Sequence, residues 1–235
     1  MCSSGTPELV LLFGGTFDPV HHGHLRSALE LTQLLPASKL HLVPCLVPAH
    51  RQQPTASAAQ RLAMLQLAVA GETQLYVDDR EIQRQGISWT VDTLLSLRQD
   101  YNLQQNPANQ PTLALVLGWD AFCGLTSWSR YEQVLELAHL IVLTRPGQMH
   151  PAPESIQELL AAYQVPEANY LTSSPAGKIL CLSLPSAMEI SATYIRQLIA
   201  SQQSTRYLLP ETVRQFIAQH GLYQTPPEKK CTSKS

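Results

Sequence analysis

The stretch Leu9-Val10-Leu11-Leu12-Phe13-Gly14-Gly15-Thr16-Phe17-Asp18-Pro19-Val20-His21-His22-Gly23-His24 decides how this chain is built. Five apolar residues lead into two glycines, and a helical pattern begins after the histidines. Such a run reads as strand, loop, helix. It brings backbone amides and a helix N-terminus to one point, where phosphate binds readily. Gly14 and Gly15 leave room for a phosphate or ribose at the strand end. The glycine spacing is not the dinucleotide fingerprint, and no Gly-Lys-Ser/Thr loop follows. His21 and His24 stand at i and i+3 around Gly23, so at a helix start they face one side. Each imidazole can donate a hydrogen bond or carry positive charge toward phosphate oxygens. His21 and His24 are therefore the candidate catalytic pair, and His22 is expected to point away.

Outward from this run the pattern alternates between strand and helix. Apolar spacing predicts helices over 24–35, 57–70, 90–100, 120–125, 131–137, 154–163, 191–200 and 211–220. Strands are expected over 40–47, 75–78, 113–117, 139–144 and 178–184. Ser57 and Thr90 are read as N-caps, and Gly71 and Gly221 as stops. The nearly pure aliphatic run 113–117 fits a strand covered on both faces. Repeated strand–helix units at this spacing imply an α/β fold with a parallel sheet and right-handed crossovers.

Length and composition narrow the function. The chain has 235 residues, enough for one substantial core, and a formal net charge of -2. No basic field marks it as a non-specific nucleic-acid binder. No stretch is long and apolar enough to span a bilayer. The first residues lack a basic start followed by an apolar core, so a secretory signal is not expected. Cys2, Cys45, Cys123, Cys181 and Cys231 are scattered without zinc spacing, which fits reduced thiols and a cytoplasmic location.

A second motif sits far down the chain, in Ile190-Ser191-Ala192-Thr193-Tyr194-Ile195-Arg196. Ser191 is a natural N-cap, so it and Thr193 offer hydroxyls beside unpaired helix amides. Arg196 adds a fixed positive charge one turn later. Paired with the first motif, this reads as the second half of a triphosphate cradle.

Here the residues carry a resemblance. GGTFDPVHHGH resembles the HxGH signature of the nucleotidyltransferase α/β-phosphodiesterase superfamily, and the second motif resembles the ISxTxxR motif of nucleotide adenylyltransferases. Other segments narrow the resemblance to the bacterial nicotinate mononucleotide adenylyltransferases, over about residues 9–223. Pro48-Ala49-His50-Arg51 stands where that family has Pro-Pro-His-Lys/Arg, with Ala49 replacing the second proline. Ser88-Trp89-Thr90 resembles its Ser-Tyr/Trp-Thr segment, and Gly118-Trp119-Asp120 its Gly-x-Asp turn. Trp128 resembles the tryptophan that follows, and the stretch from Leu208-Leu209-Pro210 to Gly221-Leu222-Tyr223 resembles the family's C-terminus.

The resemblance implies a Rossmann-like parallel sheet with flanking helices, a three-layer α/β/α arrangement. It implies one nucleotidyltransferase domain over 1–224, with helices in 191–223 completing the ATP site; residues 225–235, rich in Pro, Lys and Ser, are expected to form a flexible tail. The expected activity is adenylyl transfer from ATP to nicotinate mononucleotide, giving nicotinate adenine dinucleotide and pyrophosphate. ATP would meet Gly14, Gly15, Thr16, Phe17, His21, His24, Ser191, Thr193 and Arg196. The acceptor would meet His50, Arg51, Ser88, Trp89, Thr90, Gly118, Asp120 and Trp128. Mg²⁺ is expected on the ATP phosphates, with few or no protein ligands.

Several residues keep two readings at this stage. Trp128 either stacks on the flat nicotinate ring or anchors its loop, and Trp89 either lines the acceptor site or holds the loop from the core. Asp120 can accept ribose hydroxyls or cap the next helix, and the two roles are compatible. Asp18 either reaches the metal through water or braces its own loop. A different acceptor, as in another adenylyltransferase or a cytidylyltransferase, and a nucleotide-binding regulator without turnover are the alternative functions. Intact His21, His24 and Arg196 favour turnover.

Overall fold

The computed structural model describes residues 8–48, 53–104, 111–144 and 151–224, with Ser38 and residues 102–104 described by their backbone alone. In chain order, the first half contains β1 (Leu9–Gly15), α1 (His22–Leu34), β2 (Ala37–Pro44), β3 (Val47–Pro48), α2 (Ala58–Val69) and β4 (Leu75–Val77). Then come α3 (Arg80–Arg84), β5 (Ile87–Ser88), α4 (Thr90–Gln104), β6 (Thr112–Gly118), α5 (Trp119–Cys123), α6 (Tyr131–Leu137) and β7 (His139–Thr144). The chain continues through α7 (Glu154–Tyr163), β8 (Gln164–Val165), β9 (Ile179–Ser183), α8 (Ala192–Ala200) and α9 (Glu211–Gln219).

Seven strands form one sheet in the order β4-β2-β1-β6-β7-β9-β8, and every pairing is parallel. β3 and β5 make a separate two-stranded parallel ladder. The chain winds outward from β1 to β2 and β4, then returns to place β6 on the other side of β1. The order therefore reverses between β1 and β6, and in open α/β sheets ligands settle in the crevice outside the carboxyl ends at such a point. Gly14 and Gly15 end β1 there, and Gly118 ends β6.

Strand alternation sorts side chains into two cores. Leu9 and Leu11 of β1 join Ala28 and Leu31 of α1, Met64 and Leu65 of α2, Ile195 of α8 and Val213 of α9. Val10 and Leu12 face the opposite way, against Val91 and Leu94 of α4, Val134 of α6 and Ile156 of α7. β6 is buried on both faces, as its aliphatic composition predicts, so the architecture is three-layered α/β/α.

Elements set by apolar periodicity fall where expected: 131–137, 139–144 and 154–163 coincide with α6, β7 and α7. Two expectations need correction. The strand expected over 40–47 stops at Pro44 and resumes as β3. Cys45 N–H still closes the last rung on Gly15 O (3.0 Å), but Leu46 N–H turns away to Ser88 Oγ (3.0 Å), and there the ladder ends. Thr90 is not the cap of α4 but its first helical residue. Trp89 O accepts from Asp92 N and Thr93 N, which places Trp89 in the cap position.

Candidate active site

His21 is the N-cap of α1. Its Nδ1 accepts the backbone N–H of His24 at 3.3 Å, so the proton of the neutral ring lies on Nε2, a donor. His24, one turn on, stacks on it with ring centroids 3.7 Å apart and planes 19° from parallel. Gly23 leaves the His21 ring its room, since a Cβ there would lie 3.0 Å from Nδ1 and press the ring aside by a few tenths of an ångström. Phe17 supports the pair from below. Its ring is 1% exposed and meets His24 edge-on at 5.0 Å. A Cβ at Gly15 would lie 2.9 Å from that ring, so Gly15 gives Phe17 its place. Gly14 is exposed and faces open space. Phe17 thus reaches the site through its backbone and through His24, since its side chain is core. His22 is half-buried, with its N–H on Leu208 O.

The second motif meets the first at Asp18. Ser191 caps α8 by accepting Tyr194 N–H at 3.2 Å. Arg196 donates from Nη2 to Thr193 Oγ1 (3.3 Å) and from Nη1 to the backbone oxygen of Asp18 (2.7 Å). The Asp18 carboxylate is buried and accepts from Thr55 N (2.7 Å), Ala56 N (3.1 Å) and Tyr223 Oη (2.7 Å). It braces its own loop, the second of its two readings. Burial, with Asp18 beside it, pushes the Tyr223 hydroxyl well above its usual range, so it stays a donor. A cavity of about 310 Å³ opens here, lined by Thr55, Thr193, Arg196 and Tyr223 among others.

Across the crevice, Ser88 joins β5 to the β2–β3 turn, and Trp89 and Trp128 are half-buried against the second core. Trp89 N–H is turned back to Ile87 O. The first amides of α4, from Thr90 and Val91, have no preceding helical carbonyl and point out of its end. Behind them Glu81 is buried. Burial raises its pKa, against hydrogen bonds from Thr93 (2.6 Å) and Ser88 that oppose the rise. Asp120 lies exposed in the first turn of α5, whose cap is Gly118 without a side-chain bond, so the capping reading falls away. Arg130 pairs with Asp92 and ties the Trp128 segment to the first turn of α4. His50 and Arg51 lie outside the described residues.

The cytidylyltransferase-like family model matches residues 12–198. A Pseudomonas syringae pv. tomato protein, named "Probable nicotinate-nucleotide adenylyltransferase", is 46% identical over 220 residues, 94% of this chain and 96% of the relative. The chain belongs to the nicotinate-nucleotide adenylyltransferase family. A Chromohalobacter salexigens relative of the same name is 43% identical over 224 residues, 95% of this chain and 100% of the relative. Among solved structures, Plasmodium falciparum nicotinic acid mononucleotide adenylyltransferase complexed with NaAD superposes with TM-score 0.70 at 16% identity, covering 92% of this chain and 97% of that one. At that identity the likeness is one of fold, the nucleotidyltransferase fold.

Sequence reasoning did not find Arg61, Tyr223 or the Asp92–Arg130 pair as parts of this region. Arg61 had one signal. It shares a helical face with Met64, Leu65 and Val69, where a charge is out of place.

Proposed function

We propose that this chain, as one unit over 1–224, transfers the adenylyl group of ATP to nicotinate mononucleotide, releasing pyrophosphate and forming nicotinate adenine dinucleotide. The observation that carries this reading is the stacked His21–His24 pair at the β1/β6 switch point, tied through the Asp18 loop to Arg196. The acceptor phosphate attacks the α-phosphorus of ATP directly, so no protein nucleophile is needed. Catalysis then rests on positioning and on stabilising phosphate charge. His21 and His24 hold α- and β-phosphate oxygens beside the backbone of Gly14, Gly15, Thr16 and Phe17. Arg196, with Ser191 and Thr193, receives the leaving pyrophosphate.

The acceptor lies on the Ser88–Thr90 side, where the end of α4 favours the nicotinate carboxylate over an uncharged amide. Trp128 and Asp120 contribute ring stacking and ribose contacts, and His50 and Arg51 complete this side. The Asp18 carboxylate is occupied by three donors. Mg²⁺ would arrive on the ATP phosphates, held mainly by them, and would neutralise their charge. The proposed location is the cytoplasm, supported by free thiols at Cys45, Cys123 and Cys181; no helix among the described residues is long and apolar enough to cross a membrane.

The test is pyrophosphate release from ATP with a panel of acceptors. Nicotinate mononucleotide is expected to give the highest kcat/KM, above nicotinamide mononucleotide, phosphopantetheine and choline phosphate. Equal efficiency with the acid and amide mononucleotides would remove the α4 argument, and preference for an unrelated acceptor would overturn the reading.

A further inference from the structure

Arg61 is 1% exposed, and all three of its donor nitrogens are used on main-chain carbonyls. Nη1 donates to Thr16 O at 2.7 Å, Nη2 to Leu46 O at 3.1 Å, and Nε to Ala56 O at 3.3 Å. Among the described residues no carboxylate stands within ion-pair distance of it. A buried guanidinium without a counter-charge is costly, and on the face shared with Met64 and Leu65 an aliphatic side chain is the ordinary occupant. What an aliphatic residue lacks is a planar fork of strong, directional donors.

The three carbonyls belong to three different parts of the site. Thr16 follows the glycines of the phosphate loop. Leu46 sits in the β2–β3 turn, and its N–H is held by Ser88 on the acceptor side. Ala56 belongs to the segment whose amides grip the Asp18 carboxylate. One rigid group therefore touches the ATP side, the acceptor side and the Asp18 brace at once. We propose that Arg61 is a positioning residue for adenylyl transfer, holding the ATP and acceptor halves of the site in register for in-line attack. This inference rests on the adenylyltransferase reading. It predicts a defect in the chemical step with each substrate still bound in its own half, because misplaced reactants cost rate more than affinity.

Arg61→Lys keeps the charge, but one ammonium cannot hold three carbonyls as a planar fork does. Its kcat is expected to fall about ten- to a hundredfold while KM for ATP and for nicotinate mononucleotide stays within about twofold. Calorimetry with a non-hydrolysable ATP analogue should still find one bound per chain. Arg98→Lys, at the opposite end of the sheet, serves as the stability control, with kcat expected within about twofold of the parent. Arg61→Gln carries the same readouts if the lysine variant does not fold. A retained kcat, or analogue stoichiometry that falls in step with kcat, overturns the proposal. So does an equal kcat loss in the Arg98 variant. An active parent with an unaffected Arg61 variant sinks this inference alone, whereas a parent that releases no pyrophosphate with nicotinate mononucleotide sinks the reading beneath it as well.

Discussion

Two arginines in this fold do the same job at opposite ends of the sheet. Arg61 gathers the carbonyls of Thr16, Leu46 and Ala56, which belong to loops beyond the carboxyl ends of β1 and β2. Arg98 gathers Pro111 O (2.9 Å), Leu137 O (2.8 Å) and Pro175 O (3.0 Å), which lie just before β6, β7 and β9. Both hold converging loops by charge-assisted bonds to backbone. In the proposed reading only one end carries chemistry, because crossovers return to the amino ends while the carboxyl ends fan open at the β1/β6 switch. A structural device therefore becomes a positioning device only through where the topology places it.

Substitutions at the two ends should separate accordingly, and the largest separation is expected at Arg196. Arg196→Ala removes a half-buried cation from Asp18 O and Thr193, and kcat should drop by about 10²–10³ with the thermal midpoint little changed. A drop in midpoint that accounts for the lost activity would place Arg196 with the structural residues. Next is Arg98→Met, which leaves its three carbonyls without that donor. It should cost about 2–3 kcal/mol in urea unfolding, with kcat per folded chain unchanged. A tenfold loss of kcat in that variant would break the contrast between the two ends.

A smaller effect should come from His139, at the same amino end. The ring is fully buried; Nδ1 accepts Lys178 N–H (2.9 Å) and Nε2 lies 2.9 Å from Ser174 O. Burial lowers its pKa, so the folded chain resists the proton that the unfolded chain takes up near pH 6.5. Since the unfolded state binds more protons, stability rises with pH through this window: it is complete above the unfolded pKa and is lost as pH falls below it. Urea midpoints from pH 7 to 5 should fall more steeply in the parent than in His139→Asn. Parallel slopes would remove His139 from the account.

The sequence displays the fold and the proposed phosphate side clearly, because both rest on local signals. Apolar period, glycine pairs and cap residues mark β1, α1, α2 and α8 without reference to the rest of the chain. The acceptor side is less legible. β3 and β5 are two residues each, too short for any periodicity, and Trp89 replaces Thr90 as the cap through its backbone carbonyl. Asp18 kept two readings in sequence because its partners, Thr55, Ala56 and Tyr223, lie 37 residues or more away. Arg61 was hidden for a related reason. Its partners are main-chain oxygens, which leave no trace in side-chain identity, and only its place on an apolar helix face hinted at burial.

The claim at the centre is that the stacked histidines act on the transition state for adenylyl transfer. Single-turnover pyrophosphate release by His24→Ala, with ATP and nicotinate mononucleotide both saturating, tests it most directly. A rate lowered by about 10²–10³, in a chain that unfolds at nearly the parent's temperature, is the predicted result. A rate within about threefold of the parent would contradict it, since a loss below about 0.7 kcal/mol is too small for a group that stabilises the reacting phosphates.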